Sequence, residues 1–385
     1  MKICDITFLY FPRGGGIKTY IDSKNREYEK RGIEHVIIGP NEGKEAGVVK
    51  KKRGTTTLYK IASREIRSRG IIMYMFRHFS DIGTILEDER PDVLEIGDKM
   101  TTFFYGKKIR KMCRKIGIRV FVFSHERADN FIAEEYKLNR GGCVAWIQRL
   151  YLNPFRRALM RRFVGAADAV VCNSEFTAQE VRPITKKPVH ILRLGIQKEG
   201  FSKEKHFSNA LYNQISCNGK KKVLIHVGRI DEDKKIGLLK EIVRKMDAKK
   251  FTLLLVGDGP EAEFFKKSKK VHFAGYVGEK DVRRYLAVSD LGILVNDIEP
   301  FGLVALEMMA MELPILGPNA GGLSGILEKG FSWKLPYDAQ AYLLAMDEWY
   351  GVKNSEALGK KAREIFLKKY TSEAIVRNLL KIYKA

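Results

Sequence analysis

A chain of 385 residues is too long for one ordinary core and suits two domains, each large enough to bury a sizeable apolar interior. With 45% apolar and 30% charged residues it is globular, and its five cysteines, odd in number and without C-x-x-C spacing, argue against a disulfide framework or a zinc site and fit a reducing, cytoplasmic setting. The net charge of +24 is concentrated between positions 101 and 200, where 20 basic residues face 8 acidic ones, a field that attracts an anionic membrane surface or nucleic acid.

The opening residues, from Met1 to Ile6, lack the charged region and long apolar stretch of a signal peptide, and no run approaches the length of a membrane span, so a soluble or peripheral protein is expected. The first half then alternates apolar runs with longer basic patterns of helical period. Strands are expected at Lys2–Phe11, His35–Pro40, Val93–Ile96, Ile118–Ser124, Ala167–Cys172 and Val189–Leu194. This alternation predicts a parallel α/β sheet over residues 1–196. A polar, Lys- and Asn-rich piece, 197–222, reads as a linker. A second alternation over 223–355 has strands at Val223–Val227, Thr252–Val256, Val271–Ala274, Leu291–Val295 and Pro314–Leu316, and a last helical pattern, 356–385, is expected to pack back across the hinge. Two doubly wound domains of this kind bind ligands at the carboxyl ends of their strands, which places a ligand in a cleft between them.

Several loops after these strands carry chemistry-bearing residues. The first strand runs into Gly14-Gly15-Gly16, which permits either close backbone approach to a bulky anion or a tight turn; as a dinucleotide fingerprint it is poor, because Thr19 stands where a third spaced glycine would fall. His125 sits at the carboxyl end of a buried strand, either as a structural histidine or as a ligand contact, with Glu126 and Asp129 beside it. Gly142 to Ala166 interleaves Trp146, Leu150, Tyr151, Phe155, Leu159 and Phe163 with Arg149, Arg156, Arg157, Arg161 and Arg162, a pattern that fits interfacial membrane docking as well as a core helix with a solvated basic face. Single-stranded nucleic acid is a lesser reading, since no recognised nucleic-acid motif accompanies it.

In the second half, Gly228 and Arg229 follow a strand and Lys234 and Lys235 close the same loop; a guanidinium and an ammonium in that place suit a pyrophosphate. Further on, Val295-Asn-Asp-Ile-Glu299-Pro-Phe301-Gly302-Leu303 leads from a strand into an apolar helix that carries Glu307. Glu299 lies on the turn and Glu307 about one and a half turns inside the helix, where a lone charge is costly unless paired. The N–H groups of Phe301, Gly302 and Leu303 are expected in the first turn, without intrahelical partners and at the positive end of the helix dipole. Acid, anion cradle and acid match the hydroxyls, pyrophosphate and ribose of a sugar nucleotide.

Glu299-Pro-Phe-Gly-Leu-Val-Ala-Leu-Glu307 resembles the E-x7-E signature of retaining glycosyltransferases of the GT-B type, those with two facing Rossmann-like domains and a donor cleft between them, and in detail resembles glycosyltransferase family 4. Leu313-Pro-Ile-Leu-Gly-Pro-Asn-Ala-Gly-Gly322 resembles that family's next element, a strand ending in a Gly-Gly turn. The segment at Gly228 resembles its G-R-x(4)-K loop, with Lys235 where Gly or Asn is usual, and the strand ends at Gly257 and at Tyr276-Val277 resemble those around the nucleobase. The resemblance implies Gly15, Gly16, Gly228, Arg229 and Lys234 at the donor phosphates, His125 and Glu299 at the donor sugar, and Glu307 at the ribose. It implies transfer of a hexose from a UDP- or GDP-linked sugar to an acceptor hydroxyl, on a lipid-linked, polysaccharide or glycolipid acceptor, with retention and without a metal or other cofactor. Leu194-Gly-Ile-Gln197 and Gly325 depart from the family pattern and blur the identity of the donor. A sugar-nucleotide epimerase of the same fold and a nucleic-acid-binding protein are the rival readings.

Overall fold

The computed structural model describes residues 1–12, 15–42, 47–68, 71–127 and 153–385. The chain divides into two compact units, one of Met1–Leu194 with Ile375–Ala385, the other of Gly195–Ala374.

The first unit is built on β1 (Lys2–Ile6), β2 (Glu34–Asn41), β3 (Val48–Arg53), β4 (Thr56–Ser68), β5 (Ile71–Phe76), β6 (Val93–Ile96), β7 (Arg119–Ser124), β8 (Ala169–Cys172) and β9 (Val189–Ile191). The order is β3-β4-β2-β1-β6-β7-β8-β9, with β5 paired to β4. The pairs from β4 through β2 to β9 are parallel, and apolar runs such as Val36 to Ile38 and Val120 to Phe123 are buried, as strands covered on both faces require. Residues 48–76 depart from the expected helical pattern: they form antiparallel pairs β3–β4 and β4–β5. Their Lys50, Lys51, Lys52 and Arg53 stand exposed on the edge strand, where charge blocks further pairing, and so mask the strand signal.

Asp5 on β1 and Glu95 on β6 are register partners and both are buried. Lys24, from the helix Gly15–Lys30, inserts between them, its Nζ 2.6 Å from Asp5 Oδ1 and 2.8 Å from Glu95 Oε1. A buried ion cluster of this kind persists only when its members are paired and hydrogen-bonded. Here His35 adds a contact to Asp5, while Tyr20 and Tyr383 donate to Glu95. Tyr383 thereby ties the end of the chain into this unit.

The second unit holds an all-parallel sheet of β10 (Lys222–Val227), β11 (Phe251–Val256), β12 (Val271–Gly275), β13 (Leu291–Ile293), β14 (Ile315–Pro318) and β15 (Ser332–Leu335). Its order is β12-β11-β10-β13-β14-β15, so the direction of winding reverses between β10 and β13. The helix Ile236–Lys245 buries Ile236, Leu239, Ile242 and Val243 and packs with the helix Ala339–Tyr350, whose Trp349 is buried. That periodicity of three and four is what a helix lying on a sheet needs.

Segment 197–222, expected as a linker, carries helices Lys203–His206 and Asn209–Ser216 within the second unit. Two of its serines are caps: Ser202 and Ser208 accept from Lys205 N and Leu211 N. The terminal pattern, expected as one helix over 356–385, is two helices, Ser355–Lys369 and Ser372–Lys384. The break is held by Ile196, whose N donates to Tyr370 O and whose carbonyl accepts from Ser372 N. Among the described residues no helix is long and apolar enough to cross a membrane.

Candidate functional site

The second unit gathers most of the expected residues at the carboxyl ends of its strands. Gly228 follows β10 with φ 157°, and its N–H donates to Val256 O. Gly257 follows β11 and donates to Gly275 O at the end of β12. A Cβ at Gly257 would lie 1.8 Å from Gly228 O, and one at Gly259 would lie 2.4 Å from Ile230 O. The three strand-end loops are therefore laced backbone to backbone, a contact that only glycine permits. Past Gly275, Tyr276 is 86% exposed and Val277 is half-buried.

Beyond Gly228 the loop forms a 3-10 turn, Glu232–Lys234, capped by Asp231, which accepts from Lys234 N at 3.0 Å. Lys235 then takes the left-handed conformation at φ 58° before the helix at Ile236 begins. That is the physical reason Gly or Asn is the easier choice there, since other side chains in this region carry a steric cost. The turn aims Lys234 across the winding reversal. Its Nζ meets Glu299 Oε2 at 2.9 Å, and Asn296 Nδ2 donates to the same oxygen at 2.9 Å. Arg229 lies apart from this pair, with Asp231 at 2.9 Å and Asp233 at 3.9 Å, and is 61% exposed.

Glu299 is held by backbone as well. Gly322 N donates to Glu299 O at 2.7 Å; a Cβ on Gly321 would meet Asp297 O and Glu299 O at 2.8 Å, and one on Gly322 would meet Pro300 O at 2.0 Å. The Gly-Gly turn after β14 is thus the seat of the loop after β13. Gly302 has φ 102°, and a Cβ there would lie 2.4 Å from Leu323 Cδ2, so glycine is required at this joint also.

The left-handed Gly302 moves the helix start. The helix is Leu303–Ala310, Gly302 is its cap without a side-chain acceptor, and Phe301 is buried ahead of it. The first-turn N–H groups, which a helix leaves without intrahelical partners, are therefore those of Leu303 and Val304, and Phe301, expected there from the sequence, lies ahead of the turn. Glu307 is half-buried on that helix rather than enclosed, and it is engaged by neighbouring groups, so it is not the lone interior charge that its apolar surroundings suggest.

In the first unit, Gly15 and Gly16 open the helix Gly15–Lys30 and are exposed, with Gly15 at φ 60°. His125 follows β7. Its ring stacks on Phe123 at 4.1 Å and meets the edge of Tyr20 at 5.3 Å. Its Nε2 is inaccessible to solvent and has no hydrogen-bond partner among the described residues. Burial, with help from Lys99, pushes the imidazole down to about 3, so the ring is neutral near pH 7. Asp129, Trp146, Arg149, Leu150 and Tyr151 lie outside the described residues, as does the Phe155 side chain. The described remainder of that stretch is the helix Asn153–Gly165.

Two contributors have no sequence signal of their own. Asn296 shares the Glu299 carboxylate with Lys234. His226 on β10 is buried and its Nδ1 lies 2.9 Å from Ile293 O, bracing β10 against β13 at the reversal. Burial holds His226 down at about 4, with Lys234 adding to the effect and the Ile293 carbonyl opposing it.

Comparison with known proteins shows the family. The family "Glycosyl transferases group 1" matches residues 209–365, and "Glycosyltransferase Family 4" matches residues 14–199. The chain is a glycosyltransferase of the family 4 type. It is 25% identical, over 85% of its length and 82% of the relative's, to a GDP-mannose-dependent alpha-(1-6)-phosphatidylinositol dimannoside mannosyltransferase of Mycobacterium tuberculosis. It is 29% identical to the N-acetyl-alpha-D-glucosaminyl L-malate synthase of Bacillus anthracis over 60% of this chain and 63% of that one. Among solved structures, the sucrose-phosphate synthase of Thermosynechococcus elongatus superposes with a TM-score of 0.77 at 17% identity, covering 100% of this chain and 98% of that one. The HepE protein of Anabaena in complex with UDP gives 0.71 at 14%, covering 100% of both. At such identities these structures speak for the fold alone, and this glycosyltransferase has the two Rossmann-like domains of the GT-B fold.

Proposed function

We propose that this glycosyltransferase moves a hexose from a UDP- or GDP-linked sugar to a hydroxyl of a lipid-linked, polysaccharide or glycolipid acceptor, with retention, as a peripheral protein on the cytoplasmic face of a membrane. The observation that carries the reading is the Lys234–Glu299 pair at the winding reversal of the second sheet, seated on the Gly321-Gly322 turn in the loop that leads into the helix Leu303–Ala310. Open α/β sheets bind their ligands at this point. Names of similar proteins supply the donor classes: one relative is described as GDP-mannose-dependent, and one neighbour was solved with UDP. The acceptor class rests on the phosphatidylinositol dimannoside in the first relative's name.

In this reading the diphosphate lies along Arg229, Lys234 and the first helical turn, the sugar against Glu299, and the ribose against Glu307. The acceptor oxygen bonds to the anomeric carbon on the face from which the diphosphate departs, and the acceptor's proton passes to the departing phosphate oxygen. Charge grows on that oxygen, and fixed cations with helix N–H donors stabilise it without a metal ion. Arg229, 61% exposed, reaches it by leaving its pairs with Asp231 and Asp233. Gly15, Gly16 and His125 keep the phosphate and sugar roles that the family likeness gives them.

Thermal-shift titration with UDP, GDP and ADP identifies the nucleotide, since a ligand of the folded state raises the melting temperature. Incubation of the matching sugar nucleotides with and without glycolipid acceptor then separates transfer from rearrangement. Product formed in the absence of acceptor, or a linkage of inverted configuration, would overturn the reading.

A further inference from the structure

The first unit carries a cavity of about 530 Å³ lined by Lys107, Arg110, Lys111, Arg114, Arg161, Arg162 and Gly165. Lys107, Lys111 and Arg114 come from one face of the helix Lys99–Ile116, and Arg161 and Arg162 from the helix Asn153–Gly165. Gly106 lets the two approach, since a Cβ there would lie 2.9 Å from Ala166 Cβ.

The cations divide by task. Arg110 donates to Gly165 O and Ala167 O and reaches Asp168 at 3.8 Å, and Lys187 donates to Val164 O at 2.8 Å. These two satisfy the carbonyls at the end of the helix, a structural duty. Lys107, Lys111 and Arg114 are exposed, as is Arg161, and none has a carboxylate partner among the described residues. Like charges gathered on facing helices repel one another, and an external anion relieves that cost.

We propose that this cavity seats the phosphate-bearing headgroups of an anionic phospholipid surface. The neighbouring aromatic groups favour lipid over nucleic acid. Arg162 covers the Phe103 ring at 4.6 Å, which removes a face on which a base would stack. Phe104 remains 44% exposed, one turn before Lys107 and Lys108, and an apolar ring among lysines is what enters a headgroup layer. The proposal rests on the peripheral-membrane part of the reading above and is independent of donor and acceptor chemistry.

The full chain is tested by co-sedimentation with vesicles of phosphatidylglycerol and phosphatidylcholine, and with phosphatidylcholine alone. Wild type binds the acidic vesicles only. The combined variant Lys107→Ala, Lys111→Ala, Arg161→Ala loses about a hundredfold in partition, from three cations near the surface. A control with Lys51→Ala, Lys52→Ala and Arg53→Ala, which removes as many exposed cations from β3, loses less than about tenfold. Both variants keep the wild-type melting temperature and donor binding.

Failure of wild type to bind acidic vesicles overturns the proposal together with the membrane reading. Equal losses in both variants overturn the location and leave the membrane reading standing. Loss of oligonucleotide binding in the first variant, with vesicle binding unmoved, overturns the lipid as occupant. Release of vesicles by inorganic phosphate, but not by chloride at equal ionic strength, assigns the cavity to a small free anion instead.

Discussion

The ammonium of Lys234 lies 2.9 Å from Oε2 of Glu299, joining the loop after β10 to the loop after β13 across the point where the second sheet reverses its winding. Side chains 31% and 24% exposed make this a pair that solvent only partly screens. Removal of Lys234 therefore does two things: it takes a cation from the proposed diphosphate, and it leaves the Glu299 carboxylate with Asn296 as its remaining hydrogen-bond donor among the described residues.

Lys234→Ala is expected to lower affinity for a nucleoside diphosphate by about tenfold to a hundredfold, in line with about 1.5–3 kcal/mol for a charge-assisted bond. Nucleoside affinity should hardly move. Arg229→Ala should show the same selectivity with a smaller loss, because Arg229 must first leave Asp231. Calorimetric titration of both variants with nucleoside and diphosphate provides the check; equal losses for the two ligands would remove the phosphate assignment.

Gly322→Ala is expected to damage both fold and activity. The added Cβ would meet Pro300 O at 2.0 Å, so the loop that presents Glu299 must shift. Local backbone strain costs on the order of 1–3 kcal/mol, which should appear as a lower melting temperature with a larger loss of kcat than of diphosphate affinity. Gly325→Ala is the control, since its Cβ would meet nothing within 4 Å. If both alanines behaved alike, the turn would not be the seat of Glu299.

The alternation of apolar runs made the parallel strands legible, because strands covered on both faces are mostly apolar, with Asp5 and Glu95 as exceptions that Lys24 pairs. It failed at β3 to β5, where an edge hairpin rich in Lys and Arg resembles a solvated helix, and at 197–222, where serine caps resemble a linker. Arg229, Lys234, Glu299 and Glu307 were each legible as residue types after strands. Their pairing was not: Lys234 and Glu299 stand 65 positions apart, and only the strand order sets them side by side. Likewise nothing local in the sequence told that Gly302 is left-handed, which moves Phe301 out of the first helical turn.

His226 gives a pH dependence of known sign. Its pKa falls from the ordinary 6.5 to about 4 in the folded state, chiefly through burial, so the unfolded chain binds the proton more readily between those values. The contribution to stability is complete above about pH 6.5 and is lost as pH falls through 4, up to about 3 kcal/mol in all. His125, held at about 3 by burial, adds a contribution of the same sign in the first unit. Denaturant melts at pH 7 and pH 4.5 should show the loss. In His226→Gln the change between the two pH values should shrink, although the variant is weaker at pH 7 for want of its bond to Ile293 O. An unchanged pH slope would mean that His226 does not titrate in this window.

Glu299 and Glu307 should separate in their effects, because one is assigned to the sugar and the other to the ribose. Glu299→Gln keeps an acceptor for Asn296 but frees Lys234 from its carboxylate. Affinity for the bare diphosphate should then hold or rise, while turnover with the sugar nucleotide falls, since a neutral amide binds sugar hydroxyls about half as strongly as a carboxylate. Glu307→Gln keeps the shape of a half-buried side chain on the helix Leu303–Ala310, so the melting temperature should stay close to wild type. Its loss should fall on affinity for both nucleotide and sugar nucleotide, by about tenfold to a hundredfold. A 2′,3′-dideoxy nucleotide sharpens the test: with no ribose hydroxyls to bind, it should not distinguish Glu307→Gln from wild type. Identical profiles for the two glutamines, or a dideoxy nucleotide that still loses affinity in Glu307→Gln, would break the division of the donor between the two carboxylates.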